Sequence, residues 1–181
     1  MVVDADFPGG NIIVEKIEGS TITVRQDPRD TKGCWFYWYC RVKGSSGRDL
    51  RFVFTDGEVI GVRGPAVSLD GGKSWKWLHE PRPVSAEFAY SCPSGVDEVR
   101  FCFAIPYVQS NLDAFLSRYP NHPSLRRQTL CKTLKGRDAE WLTLGRLRGR
   151  ARYRVLLTAR HHCCEMMANY VLEGAMESVV S

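Results

Sequence analysis

The chain has 181 residues, of which 44% are hydrophobic and 25% charged, and its formal net charge is +5. This composition is typical of a globular protein, and the length allows one or two domains with a buried core. It excludes a transmembrane protein, because no apolar stretch is long enough to cross a bilayer. The first residues also lack the basic region and the apolar run of a signal peptide, so we expect a cytoplasmic protein with no membrane partner.

The number and spacing of the cysteines are also consistent with a cytoplasmic protein. There are seven, an odd number, and none of them has Cys-x-x-Cys spacing. We predict free, buried thiols in a reducing environment rather than a disulfide framework. They are Cys34, Cys40, Cys92, Cys102, Cys131, Cys163 and Cys164.

Strand-like runs, separated by Gly, Asp, Ser or Pro, fill the first hundred or so residues. Their regular spacing predicts an antiparallel β-sandwich. The runs lie at residues 12–14, 21–24, 35–42, 50–54, 86–90 and 99–104. The pattern changes after Pro106, so we predict an N-terminal β-sandwich domain over residues 1–107 and a second domain over residues 108–181.

Two features of the sandwich region have alternative interpretations. Residues 68–75 match the Asp-box hairpin of sialidase propellers, but a propeller needs several copies and there is one. We therefore predict a tight turn held by Asp70 and Ser74, with Trp75 anchored on the core. The aromatic run Trp35 to Tyr39 would suit a sugar-stacking platform, but consecutive strand residues face both ways, so most are predicted to be core.

Beyond Pro106 the pattern alternates between helix and strand. Ser110 is a candidate N-cap for a first helix. Strands are predicted at residues 129–134, 140–144 and 153–159, and a helix at residues 166–174. This order predicts the opening part of an α/β catalytic domain, so the overall fold class is α+β.

Five arginines alternate along the chain from the end of the second of these strands into the start of the third. A nucleic-acid groove would place stacking aromatics on the same face, but only Tyr153 is near and it points the other way. We therefore predict a solvated hairpin and no nucleic-acid partner. The arginines are Arg146, Arg148, Arg150, Arg152 and Arg154.

His162 and Glu165 stand three residues apart where the last predicted strand becomes the last predicted helix. Ligands at this spacing face the same way on a first helical turn, and imidazole nitrogen and carboxylate oxygen are both good zinc donors. Such a short pattern recurs by chance. The alternative is a hydrogen-bonded histidine followed by an acidic residue favoured by the helix dipole.

The segment Ala159-Arg160-His161-His162-Cys163-Cys164-Glu165 resembles the zinc-binding segment of the M14 zinc carboxypeptidases, most closely the branch of the cytosolic carboxypeptidases. Further segments are similar to that family in the same order along the chain. They are residues 6–11 (Asp-Phe-Pro-Gly-Gly-Asn), 35–38 (Trp-Phe-Tyr-Trp) and 105–112 (Ile-Pro-Tyr-Val-Gln-Ser-Asn-Leu). One departure is Cys163-Cys164, where many cytosolic relatives carry Pro-Gly.

The resemblance implies a zinc enzyme that hydrolyses the C-terminal peptide bond of a peptide or protein, with glutamate as a conceivable terminal residue. It implies that His162 and Glu165 are metal ligands and that Arg160 lies in their second shell. The family's second histidine, its substrate-binding arginines and its general-base glutamate have no counterpart here, so we expect no catalytic residue within these 181 residues and a truncated, inactive chain.

Three alternatives remain. A thiolate from Cys163 or Cys164 would turn the site into a structural one. The chain could be a noncatalytic β-sandwich interaction module with a vestigial metal site. It could also be a carbohydrate-binding module, for which Trp77 is the candidate stacking residue.

Overall fold

The computed structural model describes residues 1–29, 31–33, 35–78 and 82–180. Contacts divide the chain into two compact units. The first is Met1–Pro106 together with His162–Met167, and the second is Tyr107–His161 together with the chain from Ala168 onward. The prediction of two domains that meet at residue 107 stays a prediction. None of the helices in the described ranges has both the length and the apolar character needed to cross a membrane.

Within the described residues, the first unit contains nine strands in two sheets. In chain order they are β1 (Val2–Asp4), β2 (Ile13–Glu18), β3 (Thr21–Arg25), β4 (Tyr39–Lys43), β5 (Asp49–Phe54), β6 (Ala66–Ser68), β7 (Lys76–Trp77), β8 (Glu87–Ser91) and β9 (Glu98–Cys102). One sheet has the order β1-β4-β9-β6-β7 and the other β2-β3-β5-β8. Neighbouring strands are antiparallel, except that β3 runs parallel to β5.

Alternating apolar residues place one face of each sheet in a shared core. In β3, Ile22 and Val24 are fully buried while their neighbours are partly exposed, as a strand period of two requires. In the other sheet Val99 and Phe101 of β9 are buried in the same hydrophobic cluster. The α+β fold class with an N-terminal β-sandwich is therefore confirmed.

The second unit contains helix α1 (Gln109–Ser117), strands β10 (Leu125–Lys132) and β11 (Asp138–Leu144), and most of helix α2 (Met167–Val180). The strands pair as an antiparallel hairpin. The prediction that Ser110 caps the first helix is wrong, because α1 begins one residue earlier and Asn111 Oδ1 accepts the Val108 N–H at 2.8 Å. The C-terminal helix is confirmed and runs six residues beyond its predicted end.

The predicted strand at residues 153–159 is wrong. The segment is irregular, and among the described residues no backbone–backbone hydrogen bond is made by residues 152–159. Its apolar side chains are exposed, to 80% for Val155 and 72% for Leu156. A strand forms only where its N–H and C=O groups pair with a neighbour, and no described strand lies alongside. The predicted arginine hairpin is absent for the same reason, although all five arginines are exposed.

The cysteines match their prediction only in part. Cys40, Cys92 and Cys102 are buried as predicted, whereas Cys131 and Cys163 are exposed. Burial raises the pKa of the Cys40 thiol far above its ordinary value, with the neighbouring Cys102 as a smaller cause. Cys34 lies outside the described residues.

Candidate metal centre

A tight turn carries both predicted zinc ligands. The Glu165 N–H donates to the His162 carbonyl oxygen at 3.1 Å, which closes a turn over Cys163 and Cys164. Helix α2 begins only at Met167, so the two side chains are brought together by this turn and not by a first helical turn as predicted. Both residues belong to the first unit.

The carboxylate of Glu165 is held at both oxygens by His162. The imidazole Nδ1 lies 2.9 Å from Oε1, and the backbone N–H of His162 donates to Oε2 at 3.0 Å. Because an ionised carboxylate only accepts, Nδ1 is the donor in this pair. The two side chains remain 51% and 44% exposed, so the pair is open to solvent.

The donor set fits a zinc ion. Zinc–ligand distances of about 2.0–2.1 Å in a tetrahedral site place two donor atoms roughly 3.3 Å apart. The observed separation of Nδ1 and Oε1 is 2.9 Å, so a small opening of the turn and loss of the shared proton would admit the ion. Neutral imidazole and carboxylate are also the ligand types that catalytic zinc uses.

A third ligand is not found in the described parts of the chain, where no group of three or more His, Cys, Asp or Glu side chains is placed to hold a metal. His161 Nε2 lies 3.2 Å from Thr158 Oγ1, and His122 Nδ1 accepts the Ser124 N–H at 3.2 Å. His79 lies outside the described residues. Cys163 is exposed and Cys164 half-buried, and their role as thiolate ligands stays a prediction.

Arg160, the predicted second-shell residue, belongs to the second unit. Its φ is 59°, a left-handed conformation that is uncommon for a residue other than glycine. Its Nη1 donates to the Tyr107 carbonyl oxygen at 2.6 Å. The hydroxyl of Tyr107 donates to Glu173 Oε1 at 2.7 Å, and burial together with this carboxylate raises the Tyr107 pKa above its ordinary value. The assignment of Arg160 to a metal site stays a prediction.

Sequence reasoning missed one residue beside the pair. The indole of Trp35 stacks on the imidazole of His162, with ring centroids 4.7 Å apart and an interplanar angle of 28°. The two residues are distant in sequence and share no periodic pattern, so no local signal connected them. The aromatic run that contains Trp35 was predicted as core, which is confirmed for Tyr37, Trp38 and Tyr39.

The chain was compared with known proteins by sequence and by fold, and the fold gives the stronger likeness. No protein-family model matches the chain. An uncharacterized protein of Zymomonas mobilis is 27% identical over 97% of this chain. The chain spans about half the length of this curated relative, 46%.

Solved structures give a closer likeness in shape than in sequence. A metallo-carboxypeptidase from Burkholderia cenocepacia superposes with a TM-score of 0.81 at 21% identity, over 99% of this chain and 48% of its own. A metallo-carboxypeptidase from Pseudomonas aeruginosa, solved with (2-guanidinoethylmercapto)succinic acid, gives a TM-score of 0.81 at 21% identity over 99% of this chain and 49% of its own. This chain therefore has, over nearly all of its length, the fold of about half of a metallo-carboxypeptidase.

Proposed function

We propose that this chain contributes two protein ligands, His162 and Glu165, to the zinc site of a carboxypeptidase that acts on the C-terminus of a peptide or protein. The observation that carries the proposal is the 2.9 Å approach of Nδ1 and Oε1 on a solvent-open turn. It is supported by the metallo-carboxypeptidase fold of the chain.

The chemistry follows from the ligand types. A zinc ion bound here would polarise the scissile carbonyl and lower the pKa of its bound water. The chain's own residues would hold the ion: His162 through Nδ1, and Glu165 through the oxygen that now accepts the imidazole proton. A third ligand and a general base are also needed, and we propose that they belong to the part of the carboxypeptidase fold that this chain does not match.

Two finer points rest on sequence resemblance alone. The similarity of residues 159–165 to the cytosolic carboxypeptidases favours a C-terminal glutamate as the residue released and the cytoplasm as the compartment. The Cys163-Cys164 pair is where the chain departs from many members of that branch. We expect substrate preference to be the first property to differ from those relatives.

The test is zinc binding measured by isothermal titration calorimetry. With two ligands in the described chain we expect weak binding to the wild type and none to His162→Ala or Glu165→Gln. His161→Ala is the matched control, because it removes the adjacent imidazole and should bind zinc like the wild type. Undiminished binding by the His162→Ala chain would show that the ligand assignment is wrong.

A noncatalytic interaction module with a vestigial metal site is the second candidate. The observation that favours it is the absence of a three-ligand group among the described residues. The two candidates differ in turnover, which can be measured as release of an amino acid from blocked dipeptides by the zinc-loaded whole protein. If zinc binds through His162 but no amino acid is released, the noncatalytic role is favoured.

A further inference from the structure

The stacking of Trp35 on His162 joins the candidate metal pair to the β-sandwich. The rings are 4.7 Å apart and close to parallel, at 28°. Trp35 is half-buried and His162 exposed, so the indole covers one face of the imidazole and leaves its edge open. Both residues lie in the first unit, so this contact belongs to one compact body.

Core contacts hold Trp35 in place. The amide Nε2 of Gln26, a residue only 2% exposed, donates to the Trp35 carbonyl oxygen at 2.8 Å and to the Asp56 carbonyl oxygen at 3.2 Å. The side chains of Tyr37 and Trp38, which follow shortly after Trp35 in the chain, are buried. The Trp35 carbonyl and the chain that follows it are thus held by the buried core, which fixes the point from which the indole reaches the imidazole.

The backbone and the ring edge of His162 are held by the turn that contains Glu165. Glu165 accepts both the ring Nδ1–H and the backbone N–H of His162. Met166, the next residue, is fully buried and belongs to the same unit. The imidazole plane is therefore set by an indole face and its in-plane direction by a carboxylate.

We propose that Trp35 is a positioning residue for the metal site, whose indole holds the imidazole of His162 in the orientation that directs Nδ1 at the ion. This inference rests on the proposed function, because it assumes that His162 is a ligand. An imidazole free to rotate would lose side-chain entropy on binding metal, and residues that orient a ligand typically change metal affinity by about 10- to 100-fold when removed. The sandwich would then be part of the metal centre and not an accessory domain.

Three variants of the full chain test the proposal by zinc calorimetry. Trp35→Ala removes the stacking surface and should weaken zinc binding by about tenfold, the lower end of the range for such residues. Trp35→Phe keeps an aromatic face and should stay within a few-fold of the wild type. Phe36→Ala is the matched control, because Phe36 is an adjacent aromatic that is 53% exposed but stacks on Phe103.

A spectroscopic readout separates positioning from a general loss of structure. In the NMR spectrum without metal, the ring protons of His162 should be shifted upfield by the indole, and Trp35→Ala should remove that shift while the β-sheet resonances stay in place. With Cu²⁺ as the probe, the wild type should show saturable tryptophan quenching that His162→Ala abolishes. Trp35→Phe should lose most of that quenching while it still binds the ion.

The outcomes distinguish this inference from the proposed function. If the wild type binds no zinc, or His162→Ala binds as the wild type does, the proposed function fails and the inference fails with it. If His162→Ala abolishes binding but Trp35→Ala leaves zinc affinity unchanged, the inference alone is overturned. An unshifted His162 ring in the wild type would also overturn it.

Discussion

Asp70 closes the turn between β6 and β7 by accepting four hydrogen bonds, one of them from the Ser68 hydroxyl to Oδ1 at 2.8 Å. Its Oδ2 accepts the Ser74 hydroxyl at 2.6 Å, and its Oδ1 accepts the backbone N–H groups of Lys73 and Ser74 at 3.0 and 2.9 Å. Trp75 follows, and its Nε1 donates to the Gly72 carbonyl oxygen at 3.0 Å. The predicted hydrogen-bonded hairpin is thus confirmed at these residues.

A pH-dependent contribution to stability follows from these bonds. The Ser74 hydroxyl and N–H, and then the Ser68 hydroxyl, hold the pKa of Asp70 well below its ordinary value. A carboxyl whose pKa is lower in the folded state stabilises the fold above its unfolded pKa of about 3.9, and this contribution is lost as the pH falls further. Asp70→Asn should therefore lower the melting temperature at pH 7, and the difference from the wild type should shrink in progressively more acidic buffers.

Thermal unfolding followed by circular dichroism at several pH values measures this difference. Lys73→Ala is a suitable control, since only its backbone N–H takes part in the turn. A deficit of Asp70→Asn that stays constant down to strongly acidic pH would contradict the argument.

The candidate metal pair shows what the spacing of residues in the sequence can predict. The three-residue spacing of His162 and Glu165 predicted that their side chains meet, and they do. It could not predict Trp35, because contacts between distant residues depend on how β-strands associate and carry no mark in the local sequence. The metal-binding role of the pair stays a prediction.

At the scale of single elements, periodicity was reliable where a strand has one buried face. The predicted runs at residues 21–24 and 50–54 became β3 and β5 almost unchanged, because alternation places Ile22, Val24, Phe52 and Phe54 in the core. Residues 153–159 have equally strong β-forming side chains but no paired backbone. Propensity alone does not make a strand, since its hydrogen bonds must come from a neighbour.

The unpaired segment should be the first part of the chain to react with solvent and protease. Its amides make no backbone hydrogen bond to any described residue, so hydrogen exchange over residues 152–159 should be complete at the earliest time points. Brief trypsin treatment should cut first among Arg146 to Arg154, as identified by mass spectrometry. Arg41 and Arg100, which lie in β4 and β9, provide the internal comparison.

Slow exchange across residues 152–159 would mean that the segment is paired in solution. Self-association through its exposed apolar side chains would produce that result, because unpaired apolar edges are templates for strand addition. The molar mass in solution, from light scattering, would then exceed that of a monomer.

At the scale of the whole molecule, the core of the first unit depends on Trp38, which directly precedes β4 and packs against the other sheet. Trp38 is fully buried, its ring lies 4.8 Å from that of Phe54 in β5 and 5.9 Å from that of Phe88 in β8, and its Nε1 donates to the Val59 carbonyl oxygen at 3.0 Å. Replacing a buried tryptophan by alanine typically costs about 3–5 kcal/mol. We expect Trp38→Ala to lower the free energy of unfolding of the first unit by that amount, measured by urea denaturation.

Phe36→Ala is the control for the Trp38→Ala experiment, because it removes an aromatic side chain that is not buried. Phe36 is 53% exposed, so its loss should cost far less than that of Trp38. Equal effects of the two substitutions would show that the core does not depend on Trp38 as the structure indicates.

The class of fold, the burial of most of the aromatic run and the contact between His162 and Glu165 could be predicted from the amino-acid sequence. Each of these follows from local chemistry: strand alternation, side-chain hydrophobicity and the geometry of a short turn. Two features could not be predicted in this way: residues 153–159 pair with no described strand, and Trp35 covers the imidazole of His162. Strand pairing and ring stacking join residues far apart in the chain, so they are fixed by the packing of the whole body and not by any short stretch of sequence.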